Sequence, residues 1–173
     1  STAIPSSNVE LVEARRIGLE TRHRSGMLAS LCAATRAVGV AGTHGKTTTT
    51  ALITAMTTAG GLRPSSIIGA EVLGGNGNVH GDESLLIIEA DESDGTLDVL
   101  PLSCIVVTNI DIDHLDYFGT FEAITACFAE SIERTPGFVV LNADDAGSTG
   151  IVKLLGNDSR VTTFGWSENS TVR

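Results

Sequence analysis

The chain has 173 residues, 42% of them hydrophobic and 18% charged, with 21 acidic against 11 basic side chains. That is apolar material for one globular domain, or one domain with an appendage, and it excludes a disordered chain. A net charge of −10 argues against duplex DNA or an anionic membrane surface as the main partner. No Lys or Arg falls between Arg63 and Arg134, whereas fourteen Asp and Glu residues do, and Lys46 and Lys153 are the only lysines. Cys32, Cys104 and Cys127 lack metal-type spacing and sit in apolar neighbourhoods, which predicts buried free thiols. With no basic-then-apolar leader pattern and no apolar run of membrane-spanning length, the chain reads as a soluble cytoplasmic protein. It opens at Ser1 amid strand-to-helix punctuation, so a piece of a longer protein is expected.

Ser7-Asn8-Val9-Glu10 fits a capping box that opens a helix, with Gly18 as its stop. A second helix is predicted from 25 to about 35, then a short buried strand over 37–41. The loop Gly42-Thr43-His44-Gly45-Lys46 follows, and residues 47–59 read as a helix ended by Gly60-Gly61. Residues 67–70 predict a short strand and 74–81 a glycine-rich loop or hairpin. Two continuous apolar runs, 85–89 and 104–108, read as strands, the first ending on Glu89 and the second running into Asn109. Phe121, Ile124, Phe128 and Ile132 recur at helical spacing within a helix predicted over 120–134. A strand over 138–141, a helix over 145–155 and a strand over 161–164 complete the order. Apolar strands alternating with helices predict an α/β fold, a mostly parallel sheet flanked by helices. Ligands of such sheets gather beyond the carboxyl ends of the strands. Gly42-Thr43, Glu89-Ala90-Asp91 and Asn109 are therefore expected to converge on one crevice.

Between its strand and its helix, Gly42-Thr43-His44-Gly45-Lys46-Thr47-Thr48 has the chemistry of a phosphate loop. Glycines let backbone N–H groups turn towards phosphate oxygens, and the helix start adds favourable partial charge. Lys46 is placed for the β/γ-phosphates and the Thr47 hydroxyl for Mg²⁺. The longer GxxxxGK[ST] pattern is not met, because Val40 stands at its first glycine. The bland alternative is a glycine-rich turn with a solvated lysine. Glu89-Ala90-Asp91-Glu92-Ser93-Asp94 packs four carboxylates into six residues. Unpaired, they repel, and a hard cation relieves that cost, with Glu89 on the strand end as the ligand candidate; an exposed acidic turn is the alternative. His114, beside Asp113 and Asp116, is either a metal ligand with a carboxylate fixing its tautomer or a surface ion-pair partner. His44 either faces a substrate or steadies the loop; His23 and His80 read as surface residues.

The loop Gly42-Thr43-His44-Gly45-Lys46-Thr47-Thr48-Thr49, the acidic segment 89–94 and Thr108-Asn109-Ile110-Asp111-Ile112-Asp113-His114-Leu115-Asp116 together resemble the Mur ligase family. These are ATP-dependent amide-forming enzymes of peptidoglycan precursor synthesis. His44 resembles the branch that joins L-alanine to UDP-N-acetylmuramate, and Ser93 stands where the murein-peptide recycling branch typically has tyrosine. Leu97 departs from the aromatic usual in the L-alanine branch, and 74–78 is only loosely like the family's glycine/asparagine loop. The resemblance implies a three-domain ligase longer than this chain, with residues 1–25 as the tail of a UDP-binding domain and 26–173 as an ATP-binding central domain incomplete at its C-terminus. It implies that ATP phosphorylates the muramyl carboxylate and that the L-alanine amine attacks the acyl phosphate. Gly42, Thr43, Gly45, Lys46, Thr47 and Thr48 would bind ATP. Lys46 would stabilise the transferring phosphoryl group, Thr47 and Glu89 would hold one Mg²⁺, and His114 a second. His44, Asp91, Ser93 and Asn109 would orient substrate. The chain alone is expected to be inactive. A small phosphate-loop kinase is the other enzyme reading, but 64–133 offers no arginine for its lid. A non-enzymatic ATP-binding module is the third.

Overall fold

The computed structural model describes residues 4–72, 75–82, 84–112, 118–168 and 170–173. The chain opens with helices α1 (Val9–Arg16) and α2 (Arg24–Ala34), then β1 (Arg36–Ala41) and α3 (Lys46–Ala59). Strand β2 (Ser65–Ile67) precedes a hairpin of β3 (Glu71–Val72) and β4 (Gly75–Asn76), followed by β5 (Leu85–Glu89), the short α4 (Thr96–Val99) and β6 (Cys104–Val107). The last elements are α5 (Phe121–Arg134), β7 (Val139–Asn142), α6 (Ala146–Leu155) and β8 (Val161–Phe164).

Six strands form one sheet in the order β2-β5-β1-β6-β7-β8, and every pairing in it is parallel. After β1 the chain runs through α3 to the β2 edge and returns to β5. It then crosses to β6 on the other flank of β1. This reversal of direction makes β1 the switch point at which an open α/β sheet offers its crevice. Register places Val40 opposite Glu89 and Ala41 opposite Val107, so β5, β1 and β6 end nearly level.

The continuous apolar runs are explained by burial on both sides of the sheet. Leu86, Ile87 and Ile88 are all buried, and the first and third join a core with Ile105, Val107 and Phe128. Ile87 between them points to the opposite face. Helix α5 inserts Ile124, Cys127, Phe128 and Ile132, matching its predicted stripe. Helix α3 packs on β5, β1 and β2. Its threonines would compete with the helical backbone, but Thr50, Thr54, Thr57 and Thr58 each donate to the carbonyl four residues back at 2.7–2.8 Å.

Three local expectations change. The cap of α1 is Asn8 rather than Ser7, its Oδ1 accepting from Glu10 N and Leu11 N. Helix α2 begins at Arg24 with His23 as its cap, so His23 has a structural task. Strand β2 covers Ser65–Ile67 instead of 67–70. The Ile68 N–H is taken by Asn78 Oδ1 at 3.0 Å and the Gly69 N–H by Glu89 Oε2 at 2.6 Å, so these donors leave the ladder. Leu97 is fully buried in the main core, which removes this departure from any substrate-facing surface. All three cysteines are free; Cys32 and Cys127 are buried and Cys104 is half-buried. Burial pushes the Cys32 thiol up to about 11. Among the described residues, no helix is long and apolar enough to cross a membrane.

Candidate functional site

The loop between β1 and α3 is pressed against the end of β6. Gly42 has φ +127°, and a Cβ there would stand 2.2 Å from Thr108 Oγ1 and 2.9 Å from Asn109 O, so only glycine fits. The Thr43 N–H donates to Asn109 O at 3.0 Å, and Asp111 N donates to Thr43 Oγ1 at 2.9 Å. Asn109 grips the His44 backbone from both sides: its Oδ1 accepts from His44 N at 2.9 Å and its Nδ2 donates to His44 O at 2.8 Å. The amide of Asn109, a residue expected to orient substrate, thus holds the loop. The His44 residue is exposed.

The start of α3 differs from the other long helices. Helices α1, α2, α5 and α6 are capped by the side chains of Asn8, His23, Thr120 and Asp145, whereas α3 follows Gly45, at φ +83°, with no side-chain cap. Its first N–H groups and the positive end of its dipole are therefore open to an anion.

Lys46, the first residue of α3, folds back into the loop. Its Nζ donates to Gly42 O at 2.7 Å and to Glu92 Oε2 and Oε1 at 3.0 and 3.2 Å. The Lys46 side chain is 11% exposed and that of Glu92 2%. Burial pushes the Glu92 carboxyl above the usual carboxylate range, outweighing the opposing pull of the Lys46 charge.

The acidic segment is not the self-repelling cluster expected from its composition, because each carboxylate has its own partner. Glu89 Oε1 accepts from Thr47 Oγ1 at 2.7 Å while its Oε2 holds Gly69 N. Asp91 Oδ1 accepts from the Ser93 N–H and hydroxyl at 2.9 and 2.8 Å, which closes a local turn and uses the Ser93 donor there. Glu92 takes Lys46. Asp94 accepts from Thr96 N at 3.0 Å and from Arg24 Nη2 at 2.9 Å. Burial opposes ionisation of Asp94, but Thr96 and Arg24 outweigh it and hold its carboxyl below the ordinary range. The segment thus finds its partners within the chain, with Lys46 and Arg24 meeting two of its four carboxylates. Among the described residues, no three His, Cys, Asp or Glu side chains are grouped to hold a metal.

What the arrangement offers instead is a hydroxyl and a carboxylate, Thr47 and Glu89, in contact beside an uncapped helix start. Mg²⁺ is commonly held by one or two carboxylates together with phosphate oxygens and water, and this pair fits that mode. Next to it lies an open cleft of about 500 Å³ whose lining includes Arg24, Thr47, Gly69, Asn78, Glu89 and Asp91. The Thr48 side chain is exposed at the loop. Asp113, His114 and Asp116 lie outside the described residues. The motifs give Glu92 and Arg24 no individual role, since both are tied to the site only through the tertiary fold.

A parallel sheet with its switch point at a glycine loop, leading into an uncapped helix, defines a phosphate-loop α/β domain. Residues 40–173 match the family described as Mur ligase middle domain, and the chain belongs to that family. The UDP-N-acetylmuramate--L-alanine ligase of Salinispora arenicola is 43% identical over 177 residues, covering 100% of this chain but 35% of its own length. The protein of the same name from Kineococcus radiotolerans is also 43% identical, with 38% of its length covered. The chain therefore spans little more than a third of these relatives. Among solved structures, UDP-N-acetylmuramate-alanine ligase MurC from Thermotoga maritima matches with a TM-score of 0.74 at 24% identity, over 94% of this chain and 37% of that one. The UDP-N-acetylmuramate:L-alanyl-gamma-D-glutamyl-meso-diaminopimelate ligase from Neisseria meningitides matches with a TM-score of 0.76 at 24% identity, over 94% of this chain and 56% of that one. At that identity these two likenesses establish the fold.

Proposed function

We propose that this chain is the phosphate-handling part of an ATP-dependent ligase that joins the carboxylate of UDP-N-acetylmuramate to L-alanine through an acyl phosphate, in peptidoglycan precursor synthesis. The observation that carries the reading is the contact of Thr47 with Glu89, 2.7 Å apart, at the uncapped start of α3. The L-alanine branch is favoured by the names of the 43%-identical relatives, whereas the two structural likenesses, at TM-scores of 0.74 and 0.76, do not separate it from the recycling branch.

In this reading, the N–H groups of Gly45, Lys46, Thr47 and Thr48 bind the ATP phosphates, and Gly42 and Thr43 hold the loop against β6. Asn109 keeps the loop in the shape that presents those N–H groups. Lys46 exchanges donors from Gly42 O and Glu92 to the phosphoryl group and stabilises charge there, since phosphoryl transfer depends on positioning and charge neutralisation rather than covalent help. Thr47 and Glu89 would hold a Mg²⁺, which supplies charge neutralisation between the phosphates. By family resemblance His114 would hold a second. Asp91, on the cleft, and the exposed His44 remain the residues for substrate contact. A separate opening segment is supported by α1, which buries no residue, but Arg24 and Ser25 belong to α2, so the division falls before Arg24 rather than after 25. The UDP group and L-alanine would be bound mainly by parts of the ligase beyond this chain, in the cytoplasm, so the chain alone binds Mg·ATP without turnover.

The test is phosphate release from ATP and Mg²⁺ with UDP-N-acetylmuramate and L-alanine, on this chain and on the complete natural chain that contains it. Release is expected only from the complete chain and only with both co-substrates present. Release at an equal rate without UDP-N-acetylmuramate would point to a plain NTPase and overturn the reading.

A further inference from the structure

The cleft beside Thr47 and Glu89 has a charge problem that the phosphate loop does not solve. Two carboxylates, Glu89 and Asp91, line it, and Arg24 is the one basic side chain among its lining residues. Lys46 is not in that lining, and its ammonium is engaged with Gly42 O and Glu92. Among the described residues, an anion entering this cleft therefore meets one cation of its lining, from the first turn of α2.

Arg24 is held at one end. Its Nη2 donates to Asp94 Oδ2 at 2.9 Å, and Asp94 is itself fixed by Thr96 N at 3.0 Å. The Asp94 side chain is 11% exposed and that of Arg24 50%, so the anchor is largely covered while the arginine is open to solvent. A guanidinium carries five N–H donors in a planar fork, and one is used here. The remaining edge suits the paired oxygens of a carboxylate, and the Asp94 anchor reduces the side-chain entropy that binding would cost.

We propose that Arg24 binds the carboxylate of the acceptor substrate and holds it in this cleft beside Thr47 and Glu89, an inference that rests on the ligase reading above. The carboxylate, not the diphosphate of the same molecule, is the group assigned, because it has to reach the phosphoryl donor next to Thr47 and Glu89. Asp94 is the positioning residue behind Arg24.

The test is steady-state kinetics of the complete natural chain with Arg24→Lys and Arg24→Ala, with thermal unfolding as the check of fold. Both variants should raise KM for UDP-N-acetylmuramate by about 10-fold or more, the loss expected for a charge-assisted pair. KM for ATP should stay within about 2-fold, below what one lost hydrogen bond produces. Inhibition by UDP-N-acetylglucosamine, which has the diphosphate but no carboxylate, should be unchanged in both variants. An unchanged acceptor KM in a folded Arg24→Ala protein would overturn the proposal and leave the ligase reading standing. A parallel loss of UDP-N-acetylglucosamine inhibition would also overturn it, assigning Arg24 to the diphosphate. A wild-type chain without turnover would remove the ligase reading and this inference together.

Discussion

Lys46→Met isolates a buried carboxylate and has a pH signature. In the wild type the Lys46 ammonium touches both oxygens of Glu92 at 3.0 and 3.2 Å, and Glu92 is 2% exposed. Methionine keeps the stem but deletes the charge, leaving Glu92 buried without its cation. Breaking a buried pair in this way costs about 3–5 kcal/mol. A carboxyl can escape much of that cost by taking up a proton, and burial already holds Glu92 above the usual range. Because its folded value lies above its unfolded one, Glu92 takes up a proton on folding. The folded state then loses stability as pH rises from the ordinary carboxylate value through the raised one. Removing the Lys46 charge, which lowers that value, widens this window upward. The variant should lose about 3 kcal/mol at pH 8.5, or roughly 6–12 °C in Tm for a chain of this size, and clearly less at pH 5.5. Urea unfolding at the two pH values measures this, and adding Glu92→Leu should restore most of the loss at pH 8.5. An equal loss at both pH values, or no rescue by the second substitution, would refute the reasoning.

Gly42→Ala places a methyl 2.2 Å from Thr108 Oγ1 in a left-handed backbone, so it should cost about 2–4 kcal/mol and open the contact between the loop and β6, seen as faster amide exchange at Thr43 and His44. Glu89→Gln should raise the Mg²⁺ concentration needed for half-maximal ATP binding by about 10-fold, and an unchanged Mg²⁺ titration would remove Glu89 from the metal. Phe128→Ala should destabilise the fold by about 3–5 kcal/mol, because its ring is fully buried between α5 and the sheet; chemical denaturation reads it directly.

The order of strands and helices was legible because its signals are local: continuous apolar runs such as Leu85–Glu89, and the helical stripe of Ile124, Phe128 and Ile132. The loop between β1 and α3 was legible for the same reason, its glycines, lysine and threonine being adjacent. What escaped depends on which residue meets which across the fold. In sequence, four carboxylates in 89–94 are equivalent; in space, Glu92 turns inward to Lys46 while Asp94 turns to Arg24. Arg24 lies 22 positions before Lys46, and nothing in the spacing announces that α2 brings it to the cleft. Asn109 was placed correctly at the strand end, but whether its amide faces a ligand or the His44 backbone is decided by a loop that Gly42 brings to within hydrogen-bonding distance.

The central claim is that this chain by itself carries the phosphate- and Mg²⁺-binding half of a ligase site. Calorimetric titration of the 173-residue chain with ATP tests it directly. Binding is predicted with Mg²⁺ present, lost in EDTA and lost in Lys46→Met at a temperature where that variant is folded. Equal heats with and without Mg²⁺, or undiminished binding by folded Lys46→Met, would contradict it.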